Sequence, residues 1–150
     1  MTGESDVKGS GGAGGTEGAG GRRVEGGAGK GDGVPKTLTI VLTKGPYTSE
    51  AADMALKTAL AARRKGYKVN LFLYLDGTWV SHVTKEKSYS NPGEWLRSAI
   101  SRGVDVSACE RCSEARDLEE GAIVEGVKIL GTYHMIDLIK ASDRVLTFGG

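Results

Sequence analysis

Apolar and polar residues fall into alternating blocks along the chain, and the blocks after Pro35 predict a regular succession of strands and helices. The continuous apolar, β-branched run Thr37–Leu42 predicts a strand that is buried on both faces, and Val69–Leu75 predicts a second strand. Between them, apolar residues recur near helical spacing from Glu50 to Lys65, and Gly66 is placed to end that helix. This half of the pattern therefore predicts a strand, a helix and a second strand.

The same alternation continues with shorter elements in the second half of the chain. A helix is predicted over Glu94–Ser101, a third strand over Val104–Ala108 and a last helix over Tyr133–Lys140. Arg144–Phe148 predicts the final strand, whereas Val127–Leu130 fits either a marginal strand or a loop.

Strands that alternate with helices favour one architecture. Because parallel strands need a crossover between them, the economical assembly is a three-layer α/β domain with a mostly parallel five-stranded sheet and helices on both faces. The polar connection from Asp76 to Pro92 interrupts the pattern, and no element can be assigned within it. Connections of that length are uncommon inside compact domains and are often functional.

Composition divides the chain into two parts. Fourteen of the 24 glycines lie between Met1 and Gly33, a stretch with almost no large apolar residues. Such a stretch cannot bury enough surface to offset the entropy of ordering it. Residues 1–34 are therefore predicted to be a disordered tail, and residues 35–150 a single domain with its own core.

Charge and hydropathy exclude several classes of function. The 20 basic and 19 acidic residues leave a net charge of +1 and are intermixed, so neither nucleic-acid binding nor attachment to an anionic membrane surface is expected. No apolar run approaches the roughly 20 residues that a membrane span needs. The start of the chain also lacks the apolar segment of a secretory signal. The expected location is the cytoplasm, where cysteine thiols usually stay reduced.

Candidate chemistry gathers at the predicted strand ends. In open α/β sheets, binding and catalytic sites form outside the carboxyl ends of the strands. Those ends carry Thr43-Lys44-Gly45-Pro46, then Asp76-Gly77, then Cys109. We expect all three segments to lie on one edge of the sheet.

Cys109 is the strongest candidate among them because it begins a Cys-x-x-Cys motif that ends at Cys112. If a helix starts at the strand end, unpaired backbone N–H groups and the positive end of the helix dipole favour a thiolate. Arg111 and Arg116 can add positive charge. Such a site is expected to lower the thiol pKa by about one unit or more from roughly 8.5. A thiolate can attack a disulfide, accept sulfane sulfur as a persulfide or bind a metal.

Residues near the other strand ends are candidates for a pocket over Cys109. Lys44 is a candidate for stabilising a thiolate, and Gly45 and Pro46 are expected to shape the turn. The other candidates for binding a substrate or lining the pocket are Tyr47, Asp76, Trp79, His82 and Arg111.

The spacing of the cysteine pair leaves room for other uses. The motif fits a thioredoxin-like dithiol–disulfide module, although it follows the third strand instead of coming early in the chain. Zinc needs about four ligands, and His82 and His134 are the histidines that would have to join the two cysteines. The sequence has no second closely spaced pair of ligands, so neither a metal nor another cofactor is expected.

Short motifs in a shared order resemble one known family. Gly103–Cys109, Arg116–Leu118 and the closing Ala141–Phe148 segment resemble the DsrE/DsrF/TusD group of sulfur-relay proteins, and the first strand with its Thr43–Tyr47 loop fits as well. The resemblance covers about Lys36 to Phe148 and leaves the glycine-rich tail out.

The resemblance implies a parallel five-stranded sheet flanked by helices. It also implies trimers or hexamers, which in some cases contain related subunits. In the members that carry sulfur, a single cysteine becomes a persulfide and passes sulfur to another protein, and that cysteine matches Cys109. Cys112 departs from the simplest carrier pattern, since a second thiol nearby can resolve a persulfide into a disulfide.

Three functions remain open at this point. The leading hypothesis is a sulfur carrier or sulfurtransferase-like protein that accepts sulfane sulfur on Cys109 from a donor and delivers it to an acceptor protein. The second is a dithiol–disulfide redox module that uses Cys109 and Cys112. The third is a non-catalytic subunit of a DsrE-type complex, with a thiol that is unreactive at neutral pH.

Overall fold

The computed structural model describes residues 33–82 and 91–149, in which strands and helices alternate as predicted. The strands are β1 (Thr37–Leu42), β2 (Lys68–Leu73), β3 (Asp105–Cys109), β4 (Val127–Leu130) and β5 (Arg144–Phe148). The α-helices are α1 (Ala51–Arg64), α2 (Pro92–Ser101), α3 (Glu110–Glu114) and α4 (Thr132–Lys140). The predicted disordered tail, residues 1–34, lies outside the described residues apart from its last two positions.

The five strands are parallel and form one sheet in the order β4-β3-β2-β1-β5, which confirms the predicted α/β architecture. From the sequence, Val127–Leu130 was compatible with either a marginal strand or a loop. This segment is a strand, because it pairs with β3 from Val106 opposite Val127 to Cys109 opposite Leu130. Its four residues are too few to show a periodicity of their own.

Most element ends lie within one residue of the prediction, and two ends differ by two residues. β2 stops at Leu73, because Leu75 adopts a positive φ of 52° and opens a 3-10 turn over Leu75–Ser81. This turn occupies the first part of the connection in which no element was assigned. α2 begins at Pro92 instead of Glu94, because the Asn91 side chain accepts a hydrogen bond from the Glu94 N–H and proline suits the first helical position.

Apolar layers cover both faces of the sheet. On one face, alternate residues of the strands, such as Ile40 and Leu71, pack against α1 and α2 in the larger cluster. On the other face, Phe72 and Cys109 pack against Met135 and Leu138 of α4. The second layer is thin, since no residue of α4 is fully buried. No helix within residues 33–82 and 91–149 has the length and apolarity to cross a membrane.

A chain of polar side chains anchors α4 to the sheet. Asn70 Nδ2 donates to Thr39 Oγ1 at 3.1 Å, and Thr39 Oγ1 lies 2.6 Å from Ser142 Oγ. Ser142 Oγ in turn donates to the Leu138 carbonyl at 2.7 Å. Because Asn70 and Thr39 are buried, these bonds satisfy groups that would otherwise be costly to bury.

The loops that follow β1 and β2 meet at the carboxyl edge of the sheet. The Tyr74 N–H donates to the Leu42 carbonyl at 2.8 Å, and the Gly77 N–H donates to the Thr43 carbonyl at 3.2 Å. A Cβ atom at Gly77 would lie 2.1 Å from the Leu42 carbonyl oxygen, so this approach requires glycine. The contact fixes the adjacent Asp76 beside the end of β1.

Gly77→Ala is expected to lower the free energy of unfolding by about 1–3 kcal/mol, because backbone must shift to admit the methyl group. Urea titration followed by circular dichroism measures the change. Gly121→Ala is the matched control, since nothing lies within 4 Å of a Cβ atom there. Equal stability of the two variants would contradict the proposed close packing of the loops.

Candidate functional site

Cys109 lies where the chain changes direction across the sheet. The connection that leaves β3 returns along the face that carries α1 and α2, where Val124 joins the larger core cluster and Gly126 contacts Ile100 of α2. The connection that leaves β4 is α4, which covers the opposite face. In open α/β sheets, binding sites are expected where neighbouring strands lead to opposite faces. Cys109 and Leu130 are register partners at that point.

Cys109 is both the last residue of β3 and the N-cap of α3, so the predicted handover from strand to helix is confirmed. Its side chain is 1% exposed and packs with Phe72, Tyr74, Met135 and Leu138. The side chain of this N-cap residue makes no capping hydrogen bond, but the backbone N–H groups of Arg111 and Cys112 lie near enough to the sulfur to favour its charged form. The thiol therefore has apolar neighbours and nearby polar donors.

The predicted lowering of the Cys109 pKa is wrong. Burial raises the pKa above its ordinary value, and the hydrogen bond to the Cys112 side chain raises it further. Hydrogen bonds from the backbone N–H groups of Cys112 and Arg111 act in the opposite direction but do not outweigh desolvation. The helix start was foreseen from the sequence, whereas the removal of water from the sulfur was not.

The two cysteines are brought together as free thiols. Cys112 is also buried, and its side chain shares a hydrogen bond with that of Cys109. This spacing follows from the helix, because residues three apart in the first turn lie on one face. The pair can therefore act as one nucleophile with a neighbour or as a dithiol.

Arg116 and Asp76 form a second polar feature of the site, although neither bonds to the thiol. Arg116 Nη2 donates to Asp76 Oδ1 at 2.6 Å, and Arg116 Nη1 donates to the Cys112 carbonyl at 2.8 Å. The guanidinium therefore joins the β2 loop to α3. The sequence predicted that Arg116 adds positive charge beside a Cys109 thiolate. In the structure, Arg116 instead links the β2 loop to α3.

The loop after β1 lies on the same edge of the sheet as Cys109, but its Lys44 lies on the side away from β3. A Cβ atom at Gly45 would lie 3.2 Å from the Asp76 carbonyl oxygen, so this loop touches the β2 loop. Lys44 lies beside Gly149, on the β5 side of β1 and away from β3. Pro46 is half-buried, and Tyr47 is exposed with a positive φ of 66°.

Trp79 and His82 lie beside the connection between β3 and β4, and His82 contacts it. Their rings meet edge to face with centroids 5.8 Å apart, and His82 Nδ1 lies 3.1 Å from the Ala122 carbonyl oxygen. The Val124 N–H donates to the Ser81 carbonyl beside them. Arg111 contributes its backbone N–H to Cys109, while its side chain is exposed.

Sequence reasoning missed the apolar walls of the site. Phe72 and Tyr74 share a face of β2 with Cys109 on the neighbouring strand, and Met135 and Leu138 are spaced three apart on α4. The alternation of side chains along a strand could have predicted that Phe72 and Tyr74 face the site. The placement of α4 on the same face depends on the strand order, which only the structure gives. Within the described ranges no three His, Cys, Asp or Glu side chains gather as metal ligands.

Comparison with known proteins gives a consistent result. A family model described as the DsrE/DsrF-like family matches residues 36–148. An uncharacterized protein of Methanocaldococcus jannaschii is 38% identical over 73% of this chain and 97% of its own length. Another, from Methanopyrus kandleri, is 35% identical over 74% of this chain and 93% of its own.

A solved structure extends this similarity to the fold. The crystal structure of YchN from Escherichia coli superposes with a TM-score of 0.71 at 26% identity, and the match covers 75% of this chain and 99% of YchN. The matched part therefore has the length of a whole relative.

The raised pKa predicts slow alkylation of Cys109 by iodoacetamide at neutral pH, since only the thiolate reacts. The rate should reach half its maximum above about pH 8.5, the ordinary thiol value. Cys112→Ala should move that midpoint downward, because it removes the side chain that favours the protonated form and keeps the backbone donor. Peptide mass spectrometry measures both profiles, and a wild-type midpoint well below pH 8.5 would contradict the assignment.

Proposed function

Because this chain belongs to the DsrE/DsrF-like family, we propose that it is a sulfur carrier in which Cys109 holds a persulfide and passes its sulfur to an acceptor protein. Family membership itself points to a function of the sulfur-relay type. One observation carries the finer proposal: the Cys109 sulfur lies in an apolar enclosure, close to the backbone N–H groups of Arg111 and Cys112, which favour its charged form. These donors are fixed in place for a sulfur anion.

The reaction is a transfer of sulfane sulfur without net oxidation. The Cys109 thiolate attacks the outer sulfur of a donor persulfide, R–S–SH, and the donor S–S bond breaks. The donor leaves as R–S⁻ and takes up the proton that Cys109 lost, which leaves Cys109–S–SH. Attack by an acceptor thiol on the outer sulfur then reverses the exchange and returns Cys109 to the thiol.

The enclosure suits storage of the carried sulfur. A persulfide is exposed to attack by other thiols, and the 1% exposure of Cys109 keeps them away between transfers. The same burial raises the thiol pKa and so slows loading. The carrier is therefore expected to load slowly on its own and faster once a partner has opened the site. The two free cysteines are consistent with the reducing cytoplasm that we propose as its location.

A second function is supported by the contact between the two thiols. Cys109 attacks a partner disulfide to form a mixed disulfide, and Cys112 then displaces the partner to form a Cys109–Cys112 disulfide. The two electrons and two protons pass to the partner, which leaves as a dithiol. The hydrogen bond between the side chains favours this dithiol alternative.

Persulfide loading separates these functions. After incubation with a small persulfide donor, intact-mass spectrometry should show wild type and Cys112→Ser with one added sulfur atom, and Cys109→Ser with none. Loading of Cys109→Ser to the same extent would exclude the carrier proposal. Loss of two hydrogens in wild type, absent in Cys112→Ser, would favour the redox module, and an unreacted protein would favour a non-catalytic subunit.

We also propose that the protein works as a homo-oligomer, a trimer or hexamer, or in a complex with related subunits. The outer side of α4 carries exposed Tyr133, Ile136 and Ile139, and Tyr133 is 88% exposed. The edge strand β5 adds exposed Val145 on the α4 face, whereas exposed Leu146 lies on the opposite face. Exposed apolar patches of this kind mark protein interfaces.

Ile136→Asp is expected to dissociate the oligomer, because it places a charge in the apolar patch. Size-exclusion chromatography with light scattering should give a trimer or hexamer for wild type and a smaller species for the variant. Trp95→Gln, at an exposed aromatic residue on the other helical layer, is the control and should keep the wild-type mass. A monomeric wild type would contradict the proposal.

A further inference from the structure

The helix that supplies donors to Cys109 is too short to hold itself in place. α3 has five residues, whereas isolated helices below about 12–15 residues are marginal in water. The N–H groups of Arg111 and Cys112 in this helix nevertheless lie close enough to the Cys109 sulfur to favour its charged form. Contacts outside the helix must therefore fix its position.

The turn after α3 fixes the end of the helix. Asp117 has a positive φ of 53°, its N–H donates to the Glu114 carbonyl at 3.1 Å, and the Leu118 N–H donates to the Ser113 carbonyl at 3.0 Å. This pair of bonds is a Schellman motif with aspartate in the position that usually holds glycine. Leu118 is buried, which anchors the far end of the turn.

Arg116 supplies the link between α3 and the sheet edge. Its guanidinium spans from the Cys112 carbonyl, at 2.8 Å, to Asp76 Oδ1, at 2.6 Å, and Asp76 is 40 residues away in sequence. The Arg116 side chain is 21% exposed and that of Asp76 is 62% exposed, so the bond to the Cys112 carbonyl is the better shielded of the two and the ion pair lies at the surface. The same residue thus holds the backbone of the cysteine turn and a side chain of the β2 loop.

Asp76 is a fixed point for this link. The neighbouring Gly77 N–H bonds the Thr43 carbonyl, and Gly45 lies against the Asp76 carbonyl oxygen. These contacts tie Asp76 to the ends of β1 and β2. Arg116 therefore connects a short, weak helix to a loop that is tied to the ends of β1 and β2.

We propose that Arg116 is a positioning residue for the reaction at Cys109: its grip on Asp76 and on the Cys112 carbonyl holds the first turn of α3 closed over the thiol, and release of that grip admits the reactant. Its importance for sulfur transfer rests on the proposed function of Cys109. Cys112 of this turn adds to the enclosure that side chains of β2 and α4 form around the sulfur, and the titratable groups in that cluster are Cys112 from α3 and Tyr74 from the end of β2.

We call the Arg116 link between Asp76 and the Cys112 carbonyl the clamp. The rate of iodoacetamide labelling at Cys109 tests it. Arg116→Gln and Asp76→Asn should each raise the rate at pH 7.5 by about three- to tenfold, as expected for loss of one charge-assisted contact. The midpoint of the pH–rate profile should fall toward the ordinary thiol value as the sulfur meets water. The double variant should label no faster than either single variant, because both changes break the same link.

Two controls distinguish a clamp from general loosening. Lys128→Gln removes a comparable ion pair, Lys128–Asp105 at 2.8 Å, away from the cysteines, and should leave labelling unchanged. Arg116→Lys keeps the charge but not the two-pronged geometry, so its rate should lie between those of wild type and Arg116→Gln. High salt should speed labelling of wild type and not of Arg116→Gln.

Unchanged labelling in both single variants, or effects that add in the double variant, would overturn the clamp. An equal acceleration in Lys128→Gln would overturn it too. Labelling requires no sulfur donor, so this result is independent of the carrier proposal. A clamp with no persulfide loading would refute the carrier alone, and loading with no clamp would refute this inference alone.

Discussion

The handedness of the strand connections is the constraint on which the site depends. β1, β2 and β3 follow one another across the sheet, so right-handed crossovers put α1 and α2 on one face. The return from β4 to the far side of β1 puts α4 on the other face. The chain therefore divides at the carboxyl ends of β3 and β4, and Cys109 stands at that division.

Opposing effects on one sulfur atom then determine its chemistry. Apolar side chains from β2 and α4 remove water from Cys109 and raise its pKa, while the N–H groups of Arg111 and Cys112 stabilise negative charge. A buried thiol with a raised pKa is expected to react slowly at neutral pH. That combination suits a carrier, which must hold sulfur between partners without losing it to other thiols.

The sequence predicted those parts of the structure that depend on local pattern. β1 and β5 matched their apolar runs, and Cys109 was expected where strand meets helix. The pKa of Cys109 was predicted in the wrong direction, because an N-cap can be inferred from local sequence but the packing of α4 over it cannot. Arg116 was expected to face a thiolate, yet its partner Asp76 lies 40 residues away and becomes visible only in the fold.

The most direct test of the central claim is to locate the sulfur on the wild-type chain. Trypsin cleaves after Arg111 and so places Cys109 and Cys112 on separate peptides. After loading with a persulfide donor and alkylation, mass spectrometry should find the added sulfur on the peptide that ends at Arg111. An added sulfur confined to the peptide that begins at Cys112, or a disulfide joining the two peptides without added sulfur, would contradict the account.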